Sequence, residues 1–158
     1  MSFDFSPLEG LALIEAIRFS RWEYAAVNAV HILGIALLVG GTVPMVLRLF
    51  GLWPETRRAD LMRVLTVTAG GGLTLALASG FLLFATRASE YAANPALQLK
   101  LVLVATGTAS ALYAHARHGR TLDGAARWAI IWIAVVSMVC WIGALAAGRL
   151  IAFIEPAP

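Results

Sequence analysis

Residues 128–148 read WAIIWIAVVSMVCWIGALAAG, a run of 21 positions without a single charged side chain. Arg127 and Arg149 stand immediately on either side of this run. A bilayer core requires roughly 20 apolar residues in a helix, and backbone groups inside hydrocarbon are satisfied only in helices or closed barrels. The stretch therefore predicts a transmembrane helix that ends at the two arginines.

Three further segments have the same character, namely 24–47, 64–86 and 96–114. The first two lack charged residues altogether, and the third contains only Lys100, near its start. Together with 128–148 they predict one membrane domain over residues 1–158. The predicted fold class is all-α, a polytopic membrane protein built as a four-transmembrane-helix antiparallel bundle.

The composition of the chain supports the same conclusion. Hydrophobic residues make up 60% and charged residues 13% of the 158 positions, against about 45–50% and 25% in a soluble domain. A soluble enzyme and a disordered chain are therefore both excluded. The charges stand at the ends of apolar runs rather than in one patch, so the predicted partner is the lipid bilayer and not nucleic acid. Cys140 is the only cysteine, which excludes a disulfide framework.

Helix-start signals add detail to this outline. Residues 6–21 precede the first span and have apolar residues at near-helical spacing, so they predict an interfacial helix lying on the membrane. Ser6 and Glu9 have the spacing of a capping box. Asn94 followed by Pro95 predicts a helix N-cap and first turn at the start of the third span.

The distribution of basic residues predicts the orientation, because Lys and Arg are enriched on the cytoplasmic side. The side with both termini has five of the 12 basic residues, and the other side has seven. This difference predicts periplasmic termini if the host is a bacterium, in the inner (cytoplasmic) membrane. The five are Arg18, Arg21, Arg87, Lys100 and Arg149.

His31 is the residue in the spans that points most directly to chemistry. It lies seven positions into the first span, about 10 Å below the outer boundary. A membrane histidine is either a neutral imidazole that hydrogen-bonds a neighbouring helix or a ligand to a metal or haem iron. His115 lies about 18 Å deeper, too far to share one haem with His31. We interpret His115 and His118 as an interfacial polar pair.

Other residues are predicted to lie near the depth of His31 and to form one site with it. Lys100 and Arg149 either extend to water or provide an anion site for haem propionates, a quinone head group or a lipid phosphate. Asn28 lies one turn before His31, and Trp141 lies in the last span. The predicted cofactor-binding set is therefore His31, Lys100, Arg149, Asn28 and Trp141, with His31 as the metal ligand.

Several kinds of chemistry have no residues to support them. The four spans contain no Asp or Glu, the usual ion-coupling residue of secondary transporters. Catalytic and metal motifs such as HExxH and CxxC are also missing, so we do not expect an enzyme. Gly72, Ala76 and Gly80 recur every four residues, which predicts a helix-packing face rather than a site.

Short motifs along nearly the whole chain resemble a group of small, uncharacterised bacterial inner-membrane proteins with four helices. That group is distantly similar to the membrane domain of copper resistance protein D, where a histidine is also followed by a Gly-rich helix. The resemblance implies the fold and the membrane, and the distant likeness implies copper or haem handling. The copper-domain proteins, however, have more spans and more potential ligands. The matching positions are 22–24, 30–34, 40–41, 47–51, 79–84, 94–95, 100, 141 and 148–152.

These observations predict a small membrane subunit, not catalytic alone, that binds haem b or copper near the outer face at His31. We expect it to work as a homo-oligomer or within a larger membrane complex. One alternative is a structural or assembly subunit of such a complex. Another is a copper or small-solute transporter.

Overall fold

The computed structural model describes residues 4–122, 124–151, 153 and 154. The elements in this part of the chain are all helices, in keeping with the all-α prediction. Four of them are long and apolar enough to cross a membrane, and the chain is a membrane protein with a four-helix bundle. The helices are α1 (Ser6–Glu9), α2 (Ala12–Phe19), α3 (Arg21–Leu49), α4 (Arg58–Ala85), α5 (Ala88–Ala92), α6 (Pro95–His118) and α7 (Arg127–Leu150).

The long helices extend beyond the charge-free segments of the sequence. Helix α4 has 28 residues, which corresponds to about 42 Å at 1.5 Å per residue, against a hydrocarbon core of about 30 Å. Its first turns contain Arg58, Asp60 and Arg63. A helix therefore starts before its apolar segment, because its charged end can form in water or among lipid head groups.

Two short helices take the place of the single helix predicted over 6–21. The chain breaks at Leu11, which is extended, and the turn lets α2 bury Ile14 and Ile17, which are 2% and 4% exposed. The predicted capping box is wrong, because Ser6 lies inside α1 and its N–H donates to Asp4 Oδ1 at 3.0 Å. The Glu9 carboxylate accepts instead from the N–H and the hydroxyl of Ser89, both at 2.8 Å.

The Asn94 cap is confirmed, and the same side chain also forms a tertiary hydrogen bond. Its Oδ1 accepts from the N–H groups of Ala96 and Leu97 at 2.9 and 3.3 Å. Its Nδ2 donates to the carbonyl of Ile154 at 2.8 Å, and the residue is only 3% exposed. Asn94 thereby joins the start of α6 to the segment that follows α7.

The bundle is made of two hairpins, α3 with α4 and α6 with α7, which meet mainly where α3 packs against α7. The predicted face of Gly72, Ala76 and Gly80 is confirmed as the surface against α3. A Cβ on Gly72 would lie 2.7 Å from the carbonyl oxygen of Gly34, and a Cβ on Gly34 would lie 2.6 Å from the nitrogen of Ala76. The two backbones therefore touch, as expected for helices that pack through small residues.

Two apolar clusters fill the interior at different depths. One consists of Leu38, Ala69 and Trp141, near the middle of the bundle. The other consists of Met62, Ala114 and Leu122, at the end that carries the loops 50–57 and 119–126. We call that end the lower end and the end with α1, α2 and α5 the upper end. A cavity lies towards each end of the bundle, and Leu38, Leu73 and Trp141 line both cavities.

Candidate functional site

The upper cavity has a volume of about 400 Å³ and is lined by all four long helices. Its polar side chains are those of His31 and Lys100, and Trp141 forms part of the wall nearest the lower end. Helices α4 and α6 both line it but are not packed closely together. Between them Leu77, Phe81 and Leu101 are 50%, 56% and 55% exposed. The cavity therefore opens sideways, towards the lipid, rather than only towards the ends of the bundle.

Helix α4 holds the His31 imidazole in a defined orientation. His31 Nδ1 lies 2.9 Å from the carbonyl oxygen of Ala76 and 3.2 Å from Ser79 Oγ. A carbonyl only accepts, so Nδ1 must carry the proton and donate it. In the neutral ring Nε2 is then an acceptor, and it makes no hydrogen bond with any described residue. His31 thus joins α3 to α4 through Nδ1 and presents Nε2 to the cavity as a hydrogen-bond acceptor.

Ser79 and Gly80 make this orientation possible. Ser79 uses its own proton in a 2.6 Å bond to the carbonyl of Leu75, which leaves its oxygen free to accept from His31. Gly80 leaves room for the ring, because a Cβ there would lie 2.8 Å from His31 Cε1. These partners were not predicted from the sequence, although the four-residue spacing of Gly80 already placed it on the packing face.

Lys100 brings a positive charge to the opposite wall of the same cavity. It is a half-buried residue of α6, and its Nζ lies beside Gly148, where a Cβ would be 3.2 Å away. No carboxylate pairs with Lys100 among residues 4–122, 124–151 and 153–154. A half-buried ammonium group without a partner favours a ligand oxygen that accepts a hydrogen bond.

Only part of the predicted cofactor-binding set meets in this cavity. His31, Lys100 and Trp141 line it together. Arg149 and Asn28 lie outside its lining as the described residues form it. Arg149 is exposed, and its guanidinium group lies 5.2 Å from the centre of the Phe153 ring. The helical periodicity explains the difference, because Arg149 follows Gly148 by 100° around α7 and points away from Lys100.

The fit to a metal is poor. Among the described residues no group of three His, Cys, Asp or Glu side chains could hold a metal ion. Met45 and Met62 line the lower cavity rather than the upper one, so copper would find one imidazole and no thioether near His31. A haem iron fits His31 better, since an axial imidazole usually donates its other N–H to a backbone carbonyl or a carboxylate.

His115 lines the lower cavity, whereas His31 lines the upper one, so the two histidines do not share a site. His115 Nδ1 is buried and has no hydrogen-bond partner among the described residues, and the same is true of Thr108 Oγ1. The sequence interpretation of His115 as part of an interfacial pair did not foresee this cavity. The sequence signal that could have indicated it is the threonine seven residues before His115, which lies on the same face of the helix.

Comparison of the chain with protein-family models, curated proteins and solved structures gives no match. The resemblance to the membrane domain of copper resistance protein D therefore stays a prediction.

Proposed function

We propose that this chain is a small membrane subunit, not catalytic alone, that binds a lipid-soluble redox group in the upper cavity. The observation that supports this most directly is the combination of a sideways opening between α4 and α6 with two polar groups inside, His31 and Lys100. A ligand that is dissolved in the membrane enters such a cavity without crossing water. Its polar head then meets a hydrogen-bond acceptor and a cation.

A quinone-type head group matches these two polar groups. A quinone oxygen accepts a hydrogen bond, which the Lys100 ammonium can donate. A quinol hydroxyl donates a hydrogen bond, which His31 Nε2 can accept. Apolar side chains of α3, α4 and α7 pack on the ring, and a hydrocarbon tail leaves between Phe81 and Leu101.

The size of the cavity also favours a quinone head group over haem. Its volume of about 400 Å³ lies at the small end of the range for ligand pockets, about 300–1,000 Å³. One six-membered ring and the beginning of a tail suit this volume better than a porphyrin with two propionates. Haem remains the competing redox group in the test below, because the anchored imidazole would also suit an iron.

The same proposal includes the setting of the subunit. A redox group must exchange electrons with a partner, so we place the chain in a homo-oligomer or a larger complex of a bacterial inner membrane. The excess of basic residues towards the lower end supports periplasmic termini. Cysteine residues introduced into loop 50–57 should then react with a membrane-impermeant thiol reagent only in broken cells.

The test compares two variants that remove the same charge. Lys100→Met removes a cation that lines the upper cavity, and Arg149→Met removes one that lies outside it. A short-tailed quinone is titrated into the detergent-purified protein, and binding is followed by quenching of tryptophan fluorescence. We expect Lys100→Met to weaken binding by tenfold or more, because a hydrogen bond to a charged group contributes about 1.5–3 kcal/mol.

Three other outcomes would overturn the quinone proposal, and two of them favour a different function. Equal affinities of the two variants would show that the quinone does not bind between His31 and Lys100. A Soret band in the purified protein that shifts on reduction and disappears in His31→Ala would replace the quinone with haem. A colourless protein that binds no quinone would favour the structural or assembly subunit.

A further inference from the structure

The lower cavity contains polar groups that take no part in the proposed binding of a redox group. It has a volume of about 240 Å³ and lies between α3, α4, α6 and α7. As the described residues form it, its lining combines apolar side chains with five hydroxyl groups and one imidazole and includes no Asp, Glu, Lys or Arg. The polar residues are Thr42, Thr66, Thr108, Ser110, Ser137 and His115.

Thr108 differs from other threonines in these helices. Thr68 and Thr74 donate to the carbonyls four residues earlier, at 3.1 and 3.0 Å, which is how a hydroxyl is usually satisfied inside a membrane helix. Thr66 donates to the sulfur of Met45 at 3.5 Å. Thr108 Oγ1 is buried without a partner among the described residues, so its hydroxyl is left to interact with whatever fills the cavity.

His115 presents a second buried polar atom to the same cavity. Its Nδ1 has no partner within residues 4–122, 124–151 and 153–154. Buried polar groups without hydrogen bonds are costly and rare in native proteins. Thr108 and His115 lie about two turns apart on the same face of α6. Two such atoms on one cavity wall indicate that the cavity holds a polar ligand.

The lining determines the chemistry of that ligand. Because no charged side chain lines it among the described residues, the cavity favours a neutral polar ligand over an ion, since an unpaired charge is far more costly to bury than a neutral polar group. Thr108 and His115 are seven residues apart, about 10 Å along the helix, so one water molecule cannot reach both. A water molecule occupies about 30 Å³, which leaves room for several of them in this cavity.

We propose that the lower cavity holds a chain of water molecules that hydrogen-bonds Thr108 Oγ1 and His115 Nδ1. Leu38 and Trp141 of one apolar cluster line it on the side of the upper cavity, and Met62 and Leu122 of the other line it at the lower end. The water therefore lies between the four long helices. It reaches as far as Trp141, which is also a wall of the upper cavity. This inference does not depend on what the upper cavity binds.

The test measures magnetisation transfer from water to methyl groups by NMR, with the full chain in lipid nanodiscs. The Thr108 methyl is the probe. The Ala109 methyl is the matched control, because Ala109 lies at the same depth but is exposed on the outer surface of α6. We expect transfer to Thr108 to build up at least several times faster than transfer to Ala109. Equal, slow transfer to both methyl groups would overturn the proposal.

A pair of substitutions provides an independent test. Thr108→Val keeps the shape but removes the hydroxyl that holds the water, and Thr74→Val removes a hydroxyl that is satisfied by its own helix. We expect Thr108→Val to slow water transfer to Ala111, which also lines the cavity, and Thr74→Val to leave it unchanged. An organic molecule that co-purifies with the protein and is released by Thr108→Val would replace water as the ligand.

Discussion

The three consecutive glycines of α4 give the most direct test of the packing between α3 and α4. A Cβ on Gly72 would lie 2.7 Å from the carbonyl oxygen of Gly34 and would also meet the backbone nitrogen of Leu38. Gly70 and Gly71 have nothing within 4 Å of the same position. An ordinary Cβ contact begins at 3.4 Å, so Gly72→Ala must push the two backbones apart by at least about 0.7 Å. Two helix backbones have no flexible end that could move aside.

The expected magnitude follows from two opposing effects. Alanine is a better helix former than glycine by about 0.5–1 kcal/mol, and both Gly71→Ala and Gly72→Ala gain this. Overpacking costs about 1–3 kcal/mol, and only Gly72→Ala incurs it. Gly72→Ala should therefore be less stable than Gly71→Ala by about 1–3 kcal/mol.

The assay is unfolding of both variants by SDS in mixed micelles, followed by circular dichroism or tryptophan fluorescence. Gly70→Ala is a second control, because its site is also open. If the free energies of unfolding of Gly71→Ala and Gly72→Ala agreed within about 0.5 kcal/mol, the close approach of α3 and α4 would be refuted. A larger loss in Gly71→Ala would mean that α4 is rotated about its axis.

Three further predictions concern the upper end. Gly80→Ala should weaken quinone binding, because its Cβ would lie 2.8 Å from Cε1 of the His31 ring and displace the ring. The effect on SDS unfolding should be small, since the ring can rotate away. An unchanged affinity would contradict the role of the ring. Asn94→Ala should lower the free energy of unfolding by about 1–2 kcal/mol through loss of the α6 cap. Asn94→Ser should restore only part of it, because a serine can cap the helix but does not replace the bond from Nδ2 to the carbonyl of Ile154. Hydrogen bonds from Ser89 lower the pKa of Glu9, so the attachment of α1 to α5 should be complete at neutral pH and be lost as the pH falls through that lowered pKa. Hydrogen exchange of the Ser89 amide should accelerate there relative to its intrinsic rate, and Glu9→Gln should remove this pH dependence.

The sequence was sufficient for those features that depend on one helix at a time. The lengths of the four apolar segments predicted the number of long helices, and Asn94 predicted the start of α6 through atoms only two and three residues away. The spacing of Gly72, Ala76 and Gly80 predicted a packing face, because residues four apart lie on one side of a helix. The break at Leu11 was missed, since it depends on how Ile14 and Ile17 are buried against the rest of the bundle.

The candidate site was only partly predictable for the same reason. His31 stands out in any reading of the chain, because a histidine inside an apolar span is rare. Its partners Ala76 and Ser79 are 45 and 48 residues away in sequence, and the rotation of α7 leaves Lys100 in the upper cavity and Arg149 outside it. The lower cavity was not foreseen at all.

What the sequence by itself determined is therefore the membrane, the four helices and the identity of the polar residues within them. These follow from local chemistry, namely the cost of placing charges and unbonded backbone in hydrocarbon. The tertiary structure alone decided which of those polar residues share a cavity. That outcome depends on the rotation and separation of four helices, which are set by many small contacts such as that of Gly72 with Gly34 and by no single segment.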